Sequence, residues 1–374
     1  MSSSQQYDIQ LVDSAARFDR LRDDWKRLEQ AAQHTNRTAS YDWMRTWWEA
    51  FADKNTDQFG LEKRLRILLL SRQGTLVAIA PLVRLYRRRL LRKTVFIEFL
   101  GQQWSGETID FISAEPTPDI FRTVTAWLHA NESFDVLHLS YIPESTPFFD
   151  LHDPGLTLLS ACPILYRKDY ADYEAYKNAV YTKNFRNCVR KNYNRLEARQ
   201  VKFEWQTEPA RPEDREEMAR LSLSKLEDDK GSAWLDQDKV RFFALATAKF
   251  PGEIAFLRLE DENIAHLWSF FFANGLFAYD MSYDRQHRDL SLGRVSYVES
   301  IKRFFANTTL AFHCAGTGLG FHKRGHYPNV VRLHTYTAPG NTRAARHRAE
   351  QVLRAHRAIE QRFGADLKSW LEHE

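Results

Sequence analysis

LFAYDMSYDRQHRDLSLGRVSYVESIKRFFANTTLAFHCA, residues 276–315, is the stretch on which the fold turns. Phe277, Tyr279, Met281 and Tyr283 alternate with Asp280 along a strand, which predicts Asp280 on the opposite face. The loop RQHRDLSLG then leads into a helix from about Gly293 to Phe305, and LAFHCAG (310–316) reads as the next strand. A strand, a loop and a helix starting at glycine present unbonded N–H groups and the positive end of a helix dipole, with no side chain at 293 to bar approach. Such a start holds a phosphate or pyrophosphate. The plainer reading is that Gly293 only relaxes an ordinary helix start.

Upstream, EIAFLRLE (253–260), the turn DEN, IAHLWSFFFA (264–273) and the hairpin signal Asn274-Gly275 complete a meander with this strand. Before it come a long basic helix, YTKNFRNCVRKNYNRLEAR (181–199), a break at EPARPED (208–214) and a helix over MARLSLSKLED (218–228). After it come the strand VVRLHTYTA (330–338) and a terminal helix with Ala345, Ala349, Val352, Ile359 and Phe363 on one stripe and Gly364 as its stop.

The first half opens with two amphipathic helices, over 14–31 and from Ser40. A long hairpin LRILLLSRQGTLVAIAPLVRLYR (65–87), strands TVFIEFL and TIDFIS, a helix over 118–131, and strands DVLHLSYI and LTLLSACPILY follow. The polar DYADYEAYKN marks a boundary, giving domains 1–168 and 169–374 of an α/β chain. Both halves share one order of elements, which implies two like-folded domains in tandem without a sequence repeat.

Composition narrows the classes. Hydrophobic residues make up 43% and charged residues 27% of the 374, which excludes disordered and low-complexity chains. No apolar run reaches the roughly 18 residues of a membrane span, and the start MSSSQQYDIQ has no signal pattern, so a cytoplasmic location is expected. Cys162, Cys188 and Cys314 are too few and too scattered for a disulfide framework. A net charge of +4 is too weak to imply nucleic acid.

The glycine-rich CAGTGLGFHKRGHY (314–327) fails the stricter motifs. A dinucleotide fingerprint needs Gly where Phe321 stands, and a phosphate loop needs Lys and Ser or Thr where His326 and Tyr327 stand. Cys314, His322 and His326 lack a zinc knuckle's paired cysteines, so no metal is expected. No GxSxG elbow occurs.

The second half resembles the GNAT-type acyltransferase domain of the cellulose-biosynthesis-associated (CelD-like) acetyltransferase family, relatives of the FemAB peptidyltransferases. YTKNFRNCVRKNYNRLE resembles the family's S-x-K-x-R-x-N-x-R-R helix, with Lys183, Arg186, Asn187 and Arg190 at matching steps. LSLGRVSYVESIKRF resembles its S-P-G-x-L-L helix start, and FHCAGTGLGFHKRGHYPN its D-F-G-R-G-x-x-x-Y-K ending, with His322 and Lys323 in the Tyr and Lys places. Leu292 replaces the pattern's Pro, and His313 its Asp.

The resemblance implies two tandem GNAT-like domains, each a mixed, mainly antiparallel sheet flanked by helices. It also implies transfer of an acyl group from acetyl-CoA or another acyl-CoA to an amine or hydroxyl of a small-molecule or glycan-precursor acceptor, for polysaccharide or cell-envelope biosynthesis. Ser291, Leu292, Gly293 and Arg294 would then cradle the cofactor's pyrophosphate. His313 and Asp280 are the candidate bases, the bland alternatives being a core histidine and a solvent-facing carboxylate. His266, Trp268, Arg186, His322 and Lys323 are candidates for acceptor or phosphate contacts. Two alternatives remain: a FemAB-like aminoacyltransferase drawing on charged tRNA through the basic helix, and a degenerate GNAT scaffold that only binds.

Overall fold

The computed structural model describes residues 7–32, 36–56, 60–89, 92–104, 107–207, 210–224 and 237–371. The start of EPARPED and the end of the helix expected over 218–228 lie outside them. The chain gathers into two compact units, Met1–Ser160 with Arg332–Asp366, and Ala161–Val331 with Leu367–Glu374. The division therefore differs from the expected 168/169. LTLLSACPILY is one continuous strand across it, so the polar change at 169 marks the end of a strand, and residues 332–366 go with the first unit.

The first unit runs β1 (Asp8–Val12), α1 (Ala15–Arg20), α2 (Arg22–Ala31), α3 (Tyr41–Phe51), β2 (Leu61–Leu65), β3 (Ile67–Arg72), β4 (Thr75–Ala80), β5 (Leu82–Arg89), β6 (Arg92–Phe99), β7 (Ile112–Ser113), α4 (Pro118–Asn131), β8 (Val136–Pro143) and β9 (Leu156–Tyr166). The helices begin where side chains accept orphan N–H groups: Ser14 caps α1 and Ser40 caps α3. α3 buries Trp43, Met44, Trp47 and Phe51.

The expected hairpin over 65–87 is broken at Arg66 and Pro81. Pro81 has no N–H for a ladder; its carbonyl accepts from Leu100 N–H at 2.8 Å, while Arg66 N–H bonds Leu82 at 2.9 Å. Inner segments β3 and β4 pair with each other and with β1 and β7, and β2 and β5 pair in a second sheet with β6. The short strand β1, ahead of the first helices, was not expected.

The second unit takes the end of β9, then α5 (Tyr173–Val180), α6 (Lys183–Ala198), β10 (Lys202–Gln206), α7 (Pro212–Ser224), α8 (Gln237–Lys249), β11 (Gly252–Leu259), β12 (Glu262–Phe272), β13 (Gly275–Tyr283), α9 (Leu292–Ala306) and β14 (Phe312–Cys314). Its strand order is β10-β11-β12-β13-β14-β9, antiparallel except for β13 with β14. One face buries Ala265, Leu267 and Leu276 under Val295, Ile301 and Phe304 of α9, with Leu196 of α6. The other face meets α7 and α8: Phe243 packs on Trp268, and Ser222 bonds Ser282 at 2.9 Å.

The chain ends in β15 (Asn329–Pro339), antiparallel to β8, and α10 (Ala345–Leu371). α10 runs through Gly364, which was expected to stop it; Leu367 is buried beyond that point and Trp370 packs on a hydrophobic cluster, so burial outweighs the glycine. Among the described residues no helix is long and apolar enough to cross a membrane.

Candidate active site

β13 and β14 are joined over only three positions, Gly275–Phe312, Leu276–His313 and Phe277–Cys314. β13 continues to Tyr283, while the chain after β14 stays beside β9, with Ala315 N–H on Pro163 at 3.0 Å and Gly318 N–H on Ala161 at 2.8 Å. The two central strands therefore part after Phe277. On its other edge β13 stays paired with β12, but Ser269 faces Ala278 and Trp268 faces Asp280, leaving Tyr279 as an extra residue. This bulge cancels one step of the alternation. Asp280 thus lies on the same α7–α8 face as Tyr279, which packs on Trp268 and Phe243, and not opposite it as strict alternation predicts.

There Asp280 meets His266. Oδ2 lies 2.6 Å from His266 Nε2, and His266 is fully buried with Nδ1 unpartnered among the described residues. The Asp280 side chain retains 9% exposure, enough for a small group to reach it. A carboxylate fixed by a buried imidazole can accept a proton from a nucleophile. Trp268, 1% exposed among Phe243, Phe270 and Tyr279, is core and lines nothing reachable.

His313 does not join this pair. It sits on the α9 side with no exposure, Nε2 on Ser300 Oγ at 2.8 Å and Nδ1 on Tyr327 Oη at 3.0 Å. Burial pushes its pKa down to about 3, so it stays neutral. Fully buried and held neutral, it has no exposed nitrogen that an acceptor could reach, and the role of base expected for it does not fit this geometry.

The loop after β13 is a 3-10 turn, Arg285–Leu290, capped by Asp284, followed by Ser291 at φ 55 and ψ 40. α6 anchors it: Arg195 Nη1 donates to Asp289 O at 3.1 Å, and Arg199 pairs with the Asp289 carboxylate at 2.8 Å. Ser291 gives α9 no side-chain cap, and the Leu292 and Gly293 N–H groups have no hydrogen bond among the described residues. Leu292 buries its side chain and offers only its backbone, while a Cβ on Gly293 would meet Met281 Cε at 3.0 Å. The Arg294 guanidinium lies over the Phe185 ring at 5.5 Å, with Nη1 2.7 Å from Cys188 Sγ. Two bare N–H groups, a helix dipole and one guanidinium make a seat for an anion.

His322 stacks on Tyr297, ring centroids 5.6 Å apart, and comes within 3.6 Å of where a Gly293 Cβ would stand, so it borders the same helix start. Lys323 is 6% exposed; its Nζ donates to the carbonyls of Gly316, Thr317 and Gly318 at 3.2, 2.8 and 3.2 Å, and burial lowers its pKa to about 8. It shapes the glycine loop from within. Arg186 is exposed on α6 with Lys183, Arg190 and Lys191, and none of the four forms an ion pair among the described residues.

Sequence reasoning missed a buried polar chain beside the loop. Tyr176 Oη donates to His326 O at 2.5 Å, Tyr181 Oη meets His326 Nδ1 at 2.9 Å, and His326 Nε2 is buried with no partner among the described residues. The tyrosines read as ordinary core residues because their polar ends find partners on distant segments. No group of three or more His, Cys, Asp or Glu side chains able to hold a metal occurs among the described residues.

Residues 183–324 match the family model of the GNAT acetyltransferase domain. No curated protein matches the chain. Among solved structures, FemX is 10% identical, covering 89% of this chain and 98% of its own, with a TM-score of 0.54. A conserved protein of unknown function from Bacteroides thetaiotaomicron is 10% identical over 88% and 99%, with a TM-score of 0.52. A tandem GNAT protein from the clavulanic acid biosynthesis pathway is 12% identical over 90% and 99%, with a TM-score of 0.50. Residues 183–324 are thus similar to a GNAT acetyltransferase domain, which supports a transferase, and the mixed α/β fold is like that of tandem GNAT proteins.

Proposed function

We propose that the second unit transfers an acyl group from a coenzyme A thioester to an amine or hydroxyl. The observation that carries this reading is the parting of β13 from β14 after Phe277, immediately before Asp280 and on the strand that leads to the bare N–H groups of Leu292 and Gly293. One strand thereby connects an anion seat to a proton acceptor. In this reading the Leu292 and Gly293 N–H groups and Arg294 hold the pyrophosphate of acetyl-CoA or another acyl-CoA. The acceptor's heteroatom attacks the thioester carbon as its proton passes to Asp280, the new C–N or C–O bond forms, the C–S bond breaks, and the coenzyme A sulfur leaves to take a proton from solvent. His266 holds the carboxylate in place and shares the charge that changes on it.

The resemblance to the CelD-like family supports a small-molecule or glycan-precursor acceptor and a cytoplasmic site of action as parts of the same proposal. The test is kinetic. Asp280→Asn keeps the shape and removes the base, so thiol release from acetyl-CoA in the presence of an acceptor falls about a hundredfold or more while coenzyme A binding stays. Turnover within a few-fold of wild type would remove Asp280 from the mechanism.

A further inference from the structure

A cleft opens in the second unit at the far end of α9 from the anion seat. Glu253 opens β11 and shares a face with Ala255 two residues on, which lies in the cluster packed under α9. Alternation thus sends a carboxylate into the apolar side of the sheet, where Arg303 from the last turn of α9 meets it. Arg303 lies about 15 Å along α9 from Gly293 at the usual rise per residue, so the cleft is separate from the seat. It holds about 550 Å³ and has Phe271, Leu276, Ala306 and Leu310 in its walls beside Glu253 and Arg303. A mostly apolar lining with a few placed polar groups is the make-up of a small-molecule site.

Glu253 is 3% exposed. Its Oε2 accepts from Arg303 Nε at 2.8 Å and lies 2.8 Å from Nη2, while Oε1 is buried with no hydrogen-bond partner among the described residues. A buried carboxylate oxygen left without a donor is costly, so it marks a place where a donor belongs. The last torsion of a glutamate is soft, and a small turn of the carboxylate brings Oε1 to the cleft. Other acceptors nearby are already used: Arg167 donates to the carbonyls of Phe305, Asn307 and Leu310 at 3.2, 2.7 and 2.6 Å. The Arg303 guanidinium lies over the Trp205 ring at 4.3 Å, which holds its plane, and its Nη1 makes no hydrogen bond among the described residues. The Arg303 side chain is 37% exposed, so Nη1 can be approached.

We propose that this cleft is a second ligand site and takes an apolar α-amino acid, its ammonium on Glu253 Oε1, its carboxylate on Arg303 Nη1 and its side chain against Phe271, Leu276 and Leu310. Charge selects this class. Glu253 and Arg303 cancel each other, so a ligand with only an ammonium would meet Arg303 and one with only a carboxylate would meet Glu253, whereas a zwitterion answers both and leaves the site neutral. Burial raises the Glu253 carboxyl and Arg303 opposes that rise; an ammonium on Oε1 adds to what keeps it ionised. Nothing in this reading depends on acyl transfer, and the site stands or falls separately from the seat at Gly293.

Calorimetric titration of the full-length chain with L-leucine and L-phenylalanine tests this, with isoamylamine and 4-methylpentanoate as probes that keep the leucine side chain and one charge each. Saturable binding of at least one amino acid at one site per chain is expected, with each single-charge probe weaker by about tenfold or more. This comparison uses the wild type and depends on no variant. Glu253→Gln should weaken the amino acid by about tenfold or more. Ala306→Trp, made at an exposed position on the cleft wall, fills the space without entering the core and should abolish binding. No saturable binding of either amino acid, a single-charge probe that binds as tightly as the amino acid, or binding unchanged in Ala306→Trp would overturn the proposal.

Discussion

Asp280 owes its place to one extra residue in β13. Without Tyr279 as a bulge the carboxylate would face α9; with it, Asp280 and His266 pair across two strands at 2.6 Å. The sequence shows the strand and the aspartate, but a bulge is a property of two strands in register, which one strand's letters do not state. His313 illustrates the opposite case: an imidazole suited by type to accept a proton is engaged at both nitrogens by Ser300 and Tyr327 from other segments. His313 and His326 are both buried, and burial lowers each to about 3, against 6.5 in the unfolded chain. Unfolded histidines take up protons from about pH 6.5 downward while these two refuse them until about pH 3, so each costs stability as pH falls through that window, by about 1.4 kcal/mol per pH unit. Asp110 and Glu29, raised to about 7 by burial, act with the opposite sign between their unfolded values and pH 7, so global stability partly conceals the effect. Site-resolved NMR separates them: the His313 and His326 imidazole resonances stay fixed from pH 8 to pH 5. Either one titrating above pH 5 would contradict the burial argument.

Elements were legible where their signals are local. The strand–loop–helix–strand of residues 276–315 stands as read, because alternation, Asn274-Gly275 and the helix start all lie within the segment. The hairpin over 65–87 was legible as two extended runs but not as four strands in two sheets, since Pro81 ends a ladder without saying where the next one pairs. Gly364 misled for a related reason. Local preference makes it a stop, whereas burial of Leu367 carries α10 past it. Nothing lies within 4 Å of a Cβ built there and its backbone is helical, so Gly364→Ala should raise stability by about 0.5–1 kcal/mol, read as a higher urea midpoint at unchanged slope. A loss of stability would mean that the helix needs the glycine.

For the molecule as a whole, order of elements and charge carried the reading to two α/β units, but the exchange of residues 332–366 into the first unit was invisible, because a returning strand reads the same whichever unit it joins. The α9 start was visible as a glycine after a loop; what its letters could not show is that Ser291 leaves two N–H groups unbonded beside Arg294. The central claim is that this seat holds an acyl-CoA. The most direct measurement is a thermal-shift titration of the wild type and of Gly293→Trp with acetyl-CoA and free coenzyme A. At 100 times the dissociation constant the ligand should stabilise the wild type by roughly 2.7 kcal/mol, and it should leave the folded Gly293→Trp chain unshifted, since an indole there displaces Met281 and closes the approach. No shift of the wild type with either ligand, or an equal shift in both proteins, would contradict the account.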